Sequence, residues 1–284
     1  MKVLTVAHHK GGVGKTTIAI NISAAFALML SDENSSRPGR VLLIDMDPQA
    51  HASSTLSGGI FDKDSSREMP VTLAELLLDE VSVPATSVIQ TSHIPLRAAG
   101  NLDYIPTSKA RMGRAGRQLA ADVDGQYRLT DIIQPLKSLY EYVIIDTPPE
   151  LGALTANSLL ASTHVLVPVE LAAFSLDGLN DVLGTIEKIQ RRLNPDLRLL
   201  GLQPTRCSFQ RGEQNEILDG LFARFGDLLL PPISERADVT YAHSEGLDIF
   251  SFRPARQSGM LESSSQATIE FSKTAKEIRA RLDA

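Results

Sequence analysis

The sequence predicts an α/β fold: a doubly wound, mostly parallel sheet flanked by helices. Two observations carry this. Short apolar, β-branched runs alternate along the chain with longer stretches of helical period. Within each run nearly every residue is apolar rather than every second one, the pattern of strands covered on both faces. Ligand chemistry in such a fold is expected beyond the carboxyl ends of the strands. With no repeat and no clear interdomain linker, residues 1–284 are expected to form a single domain.

The first run, KVLTVAHH, is bounded by glycines and reads as a buried strand, and TTIAINISAAFALML after it as a helix. SDENSSRPGR (31–40) is a solvated connection. RVLLID is a second strand ending on Asp45. Residues 57–70, rich in Ser, Gly, Asp and Lys, read as a mobile loop. VTLAELLLDE is helical, and LDYIP (102–106) a strand. SKARMGRAGRQLAA follows, then a helical stretch through YRLTDIIQPLKSL. EYVIIDTPP (141–149) is a third acid-terminated strand, carrying Asp146, and THVLVPVE (163–170) a fourth apolar run. LNDVLGTIEKIQRRL is a helix, LRLLGLQPT a strand, EQNEILDGLFARFG a helix, and ATIEFSKTAKEIRARL an amphipathic closing helix.

Composition narrows the function classes. The lone cysteine, Cys207, excludes an internal disulfide, a Cys-x-x-Cys metal clip and an all-cysteine cluster within one subunit. No run reaches the ~18–20 apolar residues of a spanning helix. The opening MKVLTVA is too short for a secretion signal, so a cytoplasmic protein is expected. A formal net charge of -6 argues against a wholly basic nucleic-acid binder and permits a local basic patch.

The stretch AHHKGGVGKTT (7–17) lies between a predicted strand and a predicted helix, the setting of a phosphate-binding loop of the form G-x-x-x-x-G-K-[ST]. Gly11, Gly12, Val13 and Gly14 let successive backbone N–H groups ring a phosphate. Lys15 supplies a point charge to the β/γ-phosphates, Thr16 a hydroxyl for Mg²⁺, and Thr17 lies in the helix N-terminus behind them. His9 stands where that pattern has glycine, and Lys10 is a second lysine the pattern does not need. Asp146 ends a strand at the position from which a carboxylate holds Mg²⁺, and Asp45 and Asp47 close another. Thr147, not glutamate, follows Asp146, so hydrolysis is expected to be slow or to rely on another group.

KGGVGKTT with its leading Lys10, then DMDPQAHASSTL and DTPPELGALTANSL, resembles the ParA family of deviant-Walker P-loop ATPases, which includes the MinD-type membrane regulators. The likeness runs from Met1 to about residue 280, and ISERADVTYAHSEGLDIF (233–250) resembles the segment closing the nucleotide pocket. The resemblance implies ATP and Mg²⁺ as cofactors and makes Lys10 the signature lysine that reaches across a nucleotide-sandwich homodimer. It places Asp47 on the position that orients the attacking water and Asp45 on one that supports Mg²⁺. It puts Thr205, Pro232 and Ser234 near the adenine, and makes the segments after Asp47 and Asp146 two γ-phosphate-sensing switches.

The implied activity is slow, partner-stimulated ATP hydrolysis by a dimer that binds DNA non-specifically in the cytoplasm, on the nucleoid. It would partition a plasmid or chromosome with a ParB-like centromere-binding protein. Candidate phosphate contacts are Arg206, Arg211, Arg236, Arg253 and Arg256, with Lys273, Lys276, Arg279 and Arg281 on the last helix. Asp238 and Glu235 depart from the basic character expected there. A positioning ATPase for a protein cargo uses the same motor residues and stays open. A MinD-like membrane role needs a bulky, basic terminal helix face, and Ile269, Phe271, Ile278 and Leu282 read instead as packed on the sheet, so no membrane partner is expected. With the first strand opening at residue 2, no preceding helix-turn-helix domain is expected.

Overall fold

The computed structural model describes residues 1–32, 40–59, 70–95, 102–171, 176–208, 212–253 and 265–284. In chain order they form β1 (Lys2–Val6), α1 (Lys15–Asp32), β2 (Val41–Asp45), α2 (His51–Leu56), α3 (Leu73–Leu77) and β3 (Gln90–Thr91). Then come β4 (Leu102–Ile105), α4 (Lys109–Leu119), α5 (Arg128–Ile133), β5 (Tyr142–Asp146), α6 (Ala153–Leu160) and β6 (His164–Glu170). The chain closes with α7 (Leu176–Arg192), β7 (Arg198–Thr205), α8 (Gly212–Phe225), α9 (Ala237–Ser244) and α10 (Gln266–Asp283). The strands pair in the order β3-β4-β2-β5-β1-β6-β7. All pairs are parallel except β3 with β4. The six apolar runs are the six parallel strands, and β2 and β5 are buried along their whole length because helices cover both faces.

One face carries α1 and α10. Every residue of α1 from Ile18 to Ala27 is buried, so this helix has no solvent stripe; it lies between the sheet and α10. Its buried polar groups are satisfied. Ser23 donates to the Ala19 carbonyl, while Asn21 donates to Thr17 O and accepts from Ile249 N–H, both at 2.7 Å. α10 buries Phe271, Ile278 and Leu282 as expected, while Ile269 faces outward. The opposite face packs α3, α4, α5 and α6, and α7 and α8 cover β6 and β7. None of the described helices is long and apolar enough to cross a membrane.

Four helices, α2, α4, α6 and α9, and the edge strand β3 were not legible in the apolar pattern. In α6 the period is broken by buried Thr155, Asn157 and Ser158, whose polar atoms bond to backbone carbonyls. In α2 only six residues follow a turn through Ala50 at φ 56°. Positions 33–39 and 60–69, read above as connection and loop, lie outside the described residues.

Candidate nucleotide site

Parallel register gathers the chemistry. Asp146 at the end of β5 pairs with Val6 at the end of β1 on one side and with Asp45 at the end of β2 on the other. The loop from β1 to α1 therefore opens directly beside two carboxylates. Gly12 and Gly14 take φ of 80° and 91°, left-handed values that a side chain would strain, while Val13 between them is buried. Lys15 is the first residue of α1 and only 6% exposed. Its Nζ donates to the Lys10 carbonyl at 2.9 Å. Burial lowers its pKa, against the upward pull of Asp146 and then Asp47.

The acids differ sharply. Asp146 is fully buried and neither carboxylate oxygen has a hydrogen-bond partner. Burial pushes its pKa up to about 7, while the Thr16 hydroxyl, close by but outside hydrogen-bond geometry, pulls it down. Asp45 is equally buried yet satisfied, for Oδ1 accepts from Asp47 N–H at 3.0 Å and Oδ2 from Ser53 N–H at 2.8 Å. Its pKa is raised by burial first and then by Asp146. Asp47 is half-buried, and its Oδ1 accepts from Gln49 N–H at 2.8 Å. Two orphaned oxygens beside a threonine hydroxyl and a buried ammonium fit a hydrated divalent cation and its phosphates, which would supply the missing partners. Thr147 cannot replace a glutamate, because its hydroxyl is spent on the Val6 carbonyl at 2.8 Å.

Lys10 faces the other way. Its side chain is 41% exposed, with Nζ 3.7 Å from Glu170 at the end of β6. Arg206 also bridges to Glu170 and to Glu235, at 3.1 Å each, from a left-handed φ of 51°.

Beyond the loop lies a cavity of about 230 Å³ whose walls include Gly12, Gly14, Thr17, Thr205 and Ser234. Pro232, expected near the adenine, does not line it; Ile233 and Ser234 do. The Thr205 hydroxyl is committed to the Val13 carbonyl at 3.0 Å, which makes this residue a brace of the loop as well as a wall. Val239, Thr240 and His243 of that wall fall in 233–250, the segment expected to close the pocket, though sequence reasoning singled out none of them because α9 carries no clear period; Phe271, on the inward face of α10, it missed as a site residue. Ser234 N–H, Ser234 Oγ and Arg236 all converge on Glu270 of α10, at 2.8, 3.0 and 2.7 Å.

Among the described residues, the candidate arginines do not form a common patch of unpaired charge. Arg206 and Arg236 are held by carboxylates, Arg253 donates to the Phe250 and Phe252 carbonyls, and Arg279 and Arg281 pair within α10. Arg211 and Arg256 lie outside the described residues. Lys273 and Lys276 are exposed on one face of α10 with no ion pair among the described residues, and half-buried Asp238 sits in the first turn of α9, where the helix dipole favours an acid.

The family model described as "AAA domain" matches residues 1–199. The sporulation initiation inhibitor protein Soj of Bacillus subtilis is 31% identical over 89% of this chain and 92% of its own length. The chromosome partitioning protein ParA of Caulobacter vibrioides is 33% identical over 83% of this chain and 81% of its own. Among solved structures, cobyrinic acid a,c-diamide synthase of Mycobacterium smegmatis with bound ATP analogue and magnesium superposes with a TM-score of 0.77 at 27% identity, covering 100% of this chain and 96% of that one. With the family model matching most of the chain and these relatives above 30% identity over most of their length, the chain belongs to the ParA family of deviant-Walker P-loop ATPases.

Proposed function

We propose that residues 1–284 act as one ATPase domain that binds Mg·ATP, closes with a second copy into a nucleotide sandwich, and in that form sits non-specifically on DNA. It partitions a plasmid or chromosome together with a ParB-like centromere-binding protein. The observation that carries this reading is the loop with two lysines facing opposite ways: Lys15 buried beside Asp146, Lys10 exposed at the surface. One subunit uses the first, and a partner's phosphates suit the second, much as an arginine finger is supplied in trans. Sequence relatives named for chromosome partitioning, matched over most of their length, favour this over the synthase chemistry of the structural neighbour.

Bound Mg²⁺ would neutralise phosphate charge and polarise the terminal phosphoryl group. The chain's own residues do the rest. N–H groups from Gly11 to Thr17 ring the phosphates, and Lys15 trades the Lys10 carbonyl for a phosphate oxygen. Thr16 and Asp146 hold the cation, and Asp45 steadies it indirectly by fixing the backbone of Asp47 and Ser53. Asp47 orients the attacking water, and Lys10 must leave Glu170 to reach the neighbour. Thr205 and Ser234 border the base. For DNA, Lys273 and Lys276 are better placed than the paired arginines Arg206 and Arg236.

Co-sedimentation with plasmid DNA, with ATP, ADP or no nucleotide, tests the reading. DNA is expected to bind only with ATP and to weaken steeply with salt. Lys273→Ala with Lys276→Ala should lower the log–log salt slope by about two. Equal binding without nucleotide, or none at all, would turn the reading toward a protein cargo, and binding to anionic liposomes toward a membrane role.

A further inference from the structure

His8 is buried just beyond β1, 8% exposed. Its Nδ1 accepts the Lys10 N–H at 3.0 Å. The Lys10 carbonyl in turn accepts from Lys15 Nζ. Both polar backbone groups of Lys10 are therefore anchored inside the loop, one by a ring two residues before it and one by the phosphate-facing lysine. When Lys15 exchanges the Lys10 carbonyl for a phosphate, the bond from Lys10 N–H to His8 is the anchor that remains, so it is His8 that holds the Lys10 backbone as a partner arrives. His9 contributes differently: its ring stacks on His8 at 4.8 Å and 22°, and its buried Nδ1 has no hydrogen-bond partner.

We infer that His8 is a positioning residue for Lys10, accepting its backbone N–H so that the side chain leaves the loop at the surface, where its ammonium can exchange Glu170 for the phosphates of a second subunit. This rests on the cross-subunit reading of Lys10 given above. The physical gain is pre-organisation. A lysine whose backbone is already fixed loses less freedom when it docks than one on a loose glycine loop. The bond requires a neutral ring with its proton on Nε2. Burial, then the charges of His9, Lys15 and Lys10, hold the His8 pKa at about 4, so the acceptor persists at all physiological pH. An i to i+2 bond from a side chain to a backbone N–H is also what asparagine makes in turns. Asparagine at this position can therefore supply the same acceptor without the ring.

Two variants separate the acceptor from the ring. His8→Phe keeps a stackable ring and removes Nδ1; His8→Asn keeps an acceptor and removes the stack. Binding of a fluorescent ATP analogue and ATP-dependent dimerisation by sedimentation velocity are measured for each, beside turnover. His8→Phe is expected to bind ATP within about twofold of the wild type while dimerisation and turnover fall about tenfold, the worth of one buried hydrogen bond. His8→Asn is expected to restore both. The inference is overturned if His8→Phe dimerises normally, if it loses ATP binding in step with dimerisation, or if His8→Asn fails as badly as the phenylalanine variant. Should His8→Phe not fold, His8→Ala carries the same expectation. A wild-type chain that stays monomeric with ATP overturns the sandwich reading itself and this inference with it. A dimerising wild type with an indifferent His8→Phe overturns only the positioning role.

Discussion

At the loop end of the cleft, Lys15, Asp45 and Asp146 are buried within a few residues of three neighbouring strand ends, locked in register. At the base end, Arg206, Arg236, Ser234 and Glu270 are brought together from segments far apart in the chain, and the arginine side chains are 50% and 34% exposed. The loop end stores unfavourable electrostatics: an orphaned carboxylate, and an ammonium whose burial lowers its pKa. The base end has relieved its own. Burial would raise the Glu270 carboxyl, but bonds from Arg236 and from Ser234 reverse this and hold it below the usual range. Unpaired charge in the buried region and paired charge in the exposed one is the reverse of what stability alone would choose. The difference teaches where a ligand is needed: the loop end is completed by phosphate and cation, and the base end is already complete.

Lys15→Ala should break the loop end. It removes the cation that faces Asp146 and leaves the Lys10 carbonyl without its donor. ATP affinity is expected to fall by at least about 100-fold, some 2.7 kcal/mol, in a fluorescent-analogue titration. Affinity within tenfold of the wild type would mean the buried ammonium is structural.

Glu270→Ala should disturb the base end alone. Ser234 and Arg236 lose their common acceptor, and the wall they form loosens. The expected result is a KM for ATP raised about five- to tenfold with kcat nearly unchanged, since a partly exposed ion pair and each of the two Ser234 hydrogen bonds contribute at most about 1 kcal/mol to the wall, and only part of that reaches the ligand. A fall in kcat at constant KM would show that this end acts on turnover rather than on binding.

The same contrast explains what could be read from the sequence. The six parallel strands, α1 and the loop were legible because a contiguous stretch of residues fixes each of them: apolar runs, glycines, one lysine, acids at strand ends. The register that sets Asp45 opposite Asp146 follows from the sheet those runs must form. The cavity wall was legible only as Thr205, Ser234 and the segment 233–250; its other side chains were not, since Thr240, His243 and Phe271 meet the loop only after α9 and α10 have folded. The pairing of the basic residues was hidden for a related reason. Glu235 was visible as an acid in the same stretch, but the sequence does not show that Glu170 and Glu270, from distant elements, pair with Arg206 and Arg236.

Thr205 belongs to both ends and sharpens the comparison with the smallest effect. Its hydroxyl donates to the Val13 carbonyl, its Cγ2 lies 3.9 Å from where a Cβ on Gly14 would sit, and its side chain faces the cavity. Thr205→Val keeps the shape and orphans a buried carbonyl, a cost of about 1–3 kcal/mol that appears as a melting temperature lower by about 2–10 °C. ATP affinity should weaken about threefold as the loop loosens. Thr205→Ser keeps the hydrogen bond and removes the methyl that packs toward Gly14. If affinity follows the hydroxyl, the brace on the phosphate loop governs binding through this residue, and the serine variant stays near the wild type. If it follows the methyl, the residue serves the base wall instead, and the stability of the valine variant becomes irrelevant to the nucleotide. The hydrogen bond is the stronger and more buried of the two contacts, so the expected order of affinity is wild type, serine, valine, with the larger step between the last two.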